Sequence, residues 1–189
     1  ADVAKLTTDQ VQALTTDAVV ALTTGQAAAL TSAQVAAMST AQLTKLEAVD
    51  FAALGTSAIA ALSVDQAIKL TTDQLVALTT DQAAKLSTDA LSALSSAQVV
   101  AIETDDLVLM TDSQIAAINA SVVAKMSTAQ IGALASNQVA ALTTAQVKSL
   151  TTAQVEALTS EQIDKLSATQ VGAMTSAQVK ALETDDLVL

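Results

Sequence analysis

Residues 6–14 read L-T-T-D-Q-V-Q-A-L, and the eight-residue unit inside this stretch recurs without insertion or deletion along the whole chain. A fixed short period of this kind marks a repeat array. We label its positions a to h, from Thr7 to Leu14. Position h holds only Leu, Ile or Met, from Leu6 and Leu14 through Met38 to Leu182. Position a is Ser or Thr in 17 of 23 octads, and position d is Gln in 16 of 23. Ser or Thr followed three residues later by Gln is the capping box of a helix N-terminus. Position c is often acidic (Asp9, Asp17, Asp65, Asp73, Asp81, Asp89, Glu161), which places negative charge in a first helical turn, where the helix dipole favours it. Each octad thus announces a helix start and, eight residues later, another.

Positions e and h form the apolar pair, as in Val11 with Leu14, Phe51 with Leu54 and Ile131 with Leu134. Spaced by three, they share one face of a helical turn. In a strand they would point to opposite faces. One continuous helix fails as well, because eight residues advance about 800° and the apolar stripe would drift by roughly 80° per octad. The pattern predicts an all-α solenoid, a superhelical rod of very short helices, one per octad. A β-solenoid is the runner-up, on account of the many β-branched Thr and Val residues. A lone octad buries too little to offset the entropy of ordering it. Octads should therefore stack with e and h inward as layers of one core, with Ala at g letting backbones approach and two or more octads per coil. The expected organisation is a single continuous array over residues 1–189, about 23 octads, excerpted from a longer array because the chain begins and ends inside an octad.

Composition narrows the function classes. Net charge is −11, with eight Lys and no Arg, against the clustered cations that phosphate binding needs. No apolar run approaches the roughly 18 residues that span a membrane. Cys and His are absent, which removes disulfides, thiolate metal sites, and the commonest general base and metal ligand. No Ser has a base to activate it. These residues predict no catalytic constellation and no cofactor.

The exceptional octads carry the remaining information. Lys5, Lys45, Lys85, Lys125 and Lys165 lie at g, forty residues apart, and residues 85–109 resemble 165–189, so blocks larger than the octad are repeated. The octads starting at Glu47, Glu103 and Glu183 replace Thr at a by Glu and Gln at d by Asp (Asp50, Asp106, Asp186). Glu103, Asp105 and Asp106 form a carboxylate cluster that Glu183, Asp185 and Asp186 repeat, a candidate cation site. Calcium usually asks for a Gly-assisted turn, which is missing, so acidic residues opening a helix are the favoured reading and no metal site is assigned. Met38, Met110, Met126 and Met174 all fall at h and read as core substitutes for Leu, with Phe51 a core filler.

Two resemblances accompany this pattern. Residues 6–14, and L-S-S-A-Q-V-V-A-I at 94–102, resemble the opening of the transcription activator-like effector repeat; the likeness covers about nine residues and, with this charge, does not imply DNA reading. The whole chain is similar to octapeptide-repeat arrays of very large bacterial surface or adhesin-type proteins, with I-E-T-D-D-L at 102–107 and L-E-T-D-D-L at 182–187 as the punctuating variant. That resemblance implies an extracellular or cell-surface location and a structural or adhesive role. The expected function is a non-enzymatic stalk, spacer or filament-forming module that self-associates end to end, without nucleic acid or membrane insertion. The alternatives are a protein- or glycan-binding solenoid scaffold and an acidic nucleic-acid mimic.

Overall fold

A computed structural model describes residues 2–182. Over that span lie one 3-10 turn, Val3–Lys5, and 22 α-helices of four to six residues, α1 (Thr8–Gln12) to α22 (Ser176–Ala181), one per octad; no strand occurs among the described residues. The α-solenoid reading holds, and the β-solenoid alternative falls. Physically, the capping boxes outweigh the β-branched content, because each box ties the backbone into a helical turn within three residues of position a.

In α9 (Thr72–Val76), Thr71 is the N-cap at φ −75° and ψ 158°; its hydroxyl accepts from the Gln74 N–H at 3.1 Å, and its own N–H donates to Gln74 Oε1 at 3.1 Å. Helices stop at e, f or g, and where one runs to g its C-cap is h, which turns extended, as in Met38 (φ −62°, ψ 139°) and Leu94 (φ −62°, ψ 142°). Two consecutive extended residues, h and then a, thus join one helix to the next. No residue, glycine included, takes a positive φ among those described. The turn needs neither a left-handed residue nor a proline, which explains a chain with four Gly and no Pro.

The coil closes between three and four octads. α9 packs against α6 (Ala48–Ala52) below and α12 (Ser96–Ala101) above, three octads away in each direction. Side chains also bridge four octads, since Gln74 reaches back to the carbonyls of Leu43 and Leu46. Positions e and h line one continuous core from Val3 to Ile163, with Met38, Met110 and Met126 inside it as substitutes for Leu. Phe51 is fully buried, and the array makes room for it. The helix α3 (Thr24–Ala28) beneath it carries Ala27 at e, and Ala83, another of the few small e residues, follows Gln82, which bonds to the Ala52 carbonyl from the coil above.

Adjacent coils approach closely at one meeting of position f with position g. A Cβ on Gly132, at f in α16 (Thr128–Ala133), would sit 2.8 Å from the carbonyl oxygen of Ala157, at g in the next coil. Gly25, in the first turn of α3, would meet nothing within 4 Å. Gly132→Ala should therefore destabilise the array, while Gly25→Ala should stabilise it by up to about 1 kcal/mol through helix propensity. Thermal melts of the two variants, read side by side, check the opposite signs.

Candidate functional site: the inter-coil clamp

Every buried polar or charged side chain among the described residues sits at position d. The Gln there has two tasks. Its Oε1 accepts the N–H of position a, completing the cap of its own helix. From Gln34 onward, its Nε2 also donates across the coil boundary, four octads earlier, to the carbonyl of h and to that of e or f. Gln42 donates to Val11 and Leu14, each at 2.8 Å; Gln146 to Ile115 at 2.9 Å and Ile118 at 2.7 Å; Gln178 to Val147 at 2.8 Å and Leu150 at 2.7 Å. The receiving carbonyls lie at a helix C-terminus, where intrahelical partners run out. One amide thereby satisfies the start of its own helix and the end of the helix in the preceding coil. Both ends of the amide have a fixed partner, so its orientation is determined by the network.

The bonds of the Gln do not depend on a hydroxyl at a. Ala135 has no hydroxyl to offer, yet Gln138 still accepts its N–H at 2.8 Å and still donates to Leu107 at 2.8 Å and Met110 at 2.7 Å. The local capping box is readable from sequence; the donation across the coil is the role that reading misses. A signal for it exists, because a capping box takes Glu as readily as Gln, and Glu never occupies d in this chain. Only a side chain with a donor can reach back to a carbonyl.

The Glu–Asp octads break the clamp. In α13 (Thr104–Leu109), Glu103 makes no side-chain cap bond and Asp106 is 3% exposed. The register of the other octads places Asp106 against the carbonyls of Leu75 and Leu78, and an ionised carboxylate has nothing to donate to them. Asp106 Oδ2 is buried without a partner. Burial first, then the nearby charges of Glu103 and Asp105, push its pKa up to about 6. Asp50, in α6, is buried at the same position and Glu47 likewise makes no cap bond.

The carboxylates read as a candidate cation cluster are parted by their positions. Glu103 at a and Asp105 at c are exposed, while Asp106 at d turns inward. No group of three or more acidic side chains is gathered for a metal ion among the described residues. Glu183, Asp185 and Asp186 lie outside the described residues. The only ion pair among the described residues joins Lys5 to Asp2 at 3.3 Å on the surface, so the forty-residue Lys series forms no ladder of salt bridges.

This arrangement defines a class of protein: an α-solenoid built from octapeptide repeats whose coils are stitched by glutamine. The chain belongs to the ALTTAQ repeat family, whose model matches residues 1–32, 43–80, 99–136, 112–144 and 136–168, together more than half of the chain. The hexapeptide A-L-T-T-A-Q itself stands at 141–146, spanning the end of one helix, the two extended residues and the capping box of the next. No curated protein matches the chain.

Two substitutions test the clamp in opposite senses. Gln82→Glu keeps the cap acceptor but removes the donor to Leu54 (2.7 Å) and Ala52 (3.0 Å), and should cost about 2 kcal/mol at neutral pH, read from thermal unfolding. Asp106→Gln restores a donor and should gain about 1 kcal/mol at pH 7. Folding raises the Asp106 pKa, so the stabilisation of its protonated form is fully present below the unfolded value of 3.8 and is lost as pH rises through about 6. The advantage of Asp106→Gln should therefore shrink as the melts are repeated from pH 7 down to pH 4.

Proposed function

We propose that this chain is a non-enzymatic structural module, a stalk, spacer or filament-forming segment of a bacterial extracellular or cell-surface protein. The observation that carries this reading is the use of the buried polar groups. Among the described residues they all lie at d, and the glutamines spend their hydrogen bonds on helix caps and coil-to-coil stitching. Nothing comparable is set aside for polarising a substrate. Identical layers define length and stiffness by their number, and each layer contacts only its neighbours, so mechanical properties scale with copy number. The extracellular setting rests on the resemblance to surface-protein arrays.

The coil interface is also directional. One side of each coil presents Gln amide donors, and the other presents helix-terminal carbonyls with the apolar e and h residues. Wherever the two sides are free on separate molecules they are complementary, and a heterologous contact of this type propagates as an open filament. Negative-stain electron microscopy across a concentration series tests this. Rods that lengthen with concentration are the expected result. Rods of constant length at every concentration would refute filament formation and leave the spacer role, and globular particles would refute the module altogether.

A further inference from the structure

Position f lies on the outer surface, and in most octads it is Ala, Gly or a polar residue. Among the described residues, five octads place a larger aliphatic side chain there: Val20, Ile68, Val76, Val100 and Val108, exposed by 37–45%. Four of the five belong to neighbouring octads. Ile68 and Val76 follow one another in one coil, and Val100 and Val108 in the next. α9, which ends at Val76, packs against α12, which contains Val100, and Gln98 of α12 bonds to the Ala67 carbonyl beside Ile68. Leu109, at a g position usually held by Ala or Lys, extends the patch and is 56% exposed. β-branched residues are poorer helix formers than Ala, so these substitutions bring the exposed helix turns no gain of their own.

Between the two coils, and reaching Ser127 and Gln130 of the next, lies a hollow of about 480 Å³, bordered by Val76, Val100 and Ile102 and by Glu103 and Asp105. Every charged group lining it is acidic, and neither carboxylate is in an ion pair. An apolar patch of adjoining coils with an acidic border is complementary to a chain that carries aliphatic and cationic side chains together. A second copy of this chain, an anionic membrane and a nucleic acid all bring negative charge to that border.

We propose that this groove is a docking site for a basic, amphipathic polypeptide segment, whose aliphatic side chains lie on Val76 and Val100 while Lys or Arg meets Glu103 and Asp105. The segment crosses two coils, so binding also bridges a boundary where Asp106 has replaced the Gln clamp. The groove lies at internal coil boundaries, whereas end-to-end stacking would use the free faces of the terminal coils, so the two stand or fall independently.

The probe is a fluorescent peptide alternating Leu and Arg, titrated by anisotropy at physiological salt against the whole chain. Val76→Ser with Val100→Ser should weaken binding by about tenfold or more, and Glu103→Gln with Asp105→Asn by a similar factor. Val20→Ser, on an equally exposed f residue away from the groove, should bind as the unaltered chain does. All the exchanged side chains are exposed or line the rim, and circular dichroism confirms that the helices persist. Equal affinity for the unaltered chain and the double Val variant would overturn the proposal, because net charge alone would then explain binding. It would equally fall if a peptide alternating Leu and Glu bound as tightly.

Discussion

The solenoid depends on one hydrogen-bonding problem and its solution. Helices of four to six residues consist almost entirely of ends, so most of their backbone amides and carbonyls have no partner within the helix. Buried and unsatisfied, those groups would outweigh the apolar contacts that the octads gain. The Gln at d answers at both termini at once, taking an N–H at the start of its own helix and giving a proton to carbonyls one coil below. Because the second bond links residues 28 and 31 apart, the same side chain that ends the local deficit also fixes the coil. Local capping and superhelical geometry are therefore one interaction.

The local part of this design is legible in sequence. Thr71 followed by Gln74 announces a cap, Leu75 with Leu78 announces an inward face, and Met at h behaves as Leu does. What lies beyond the octad is not legible in the same way. The coil closes between three and four octads because Gln74 meets Leu43 and Leu46, and no periodicity within eight residues encodes which distant carbonyl is met. The turn was equally hidden. With four Gly and no Pro, the connections are made by two extended residues in succession. The carboxylates show the limit for sites. Glu103, Asp105 and Asp106 are neighbours in sequence, but a helical turn sends positions a and c outward and d inward, so adjacency produced one buried acid and two exposed ones.

The departures from the consensus are compensated where the core demands it and left uncompensated where it does not. Phe51 is balanced by Ala27 below, a volume exchange between coils that no single octad reveals. Asp106 has no such balance. Its Oδ2 stays unpartnered, and its carboxyl resists ionisation because burial and two like charges oppose it. In an array whose stability is a sum of layer and neighbour terms, a layer lacking its clamp weakens one boundary without unfolding the rest. Octads with Ala or Val at d lack the clamp as well, but Asp106 adds the cost of a buried, unpartnered oxygen.

This division of labour among the eight positions also bounds what such a protein can recognise. Positions d, e and h serve the clamp and the core, and a the cap, so changes there cost stability even where, as at Ala135 or Asp106, the helix still forms. Variation is cheap at c, which tolerates charge in the first turn, and at f, which faces solvent. Small f residues are compatible with close coil contacts, as Gly132 against Ala157 shows, so a large f residue is admitted only where the neighbouring coil leaves space. A hollow forms between Val76 and Val100, two of the large aliphatic f residues, with Ile68 and Val108 in the adjoining octads. In a rod made of near-identical layers, a recognition surface has to be written into the few positions that the fold leaves free, and it becomes contiguous only where the coil brings such positions from different octads side by side.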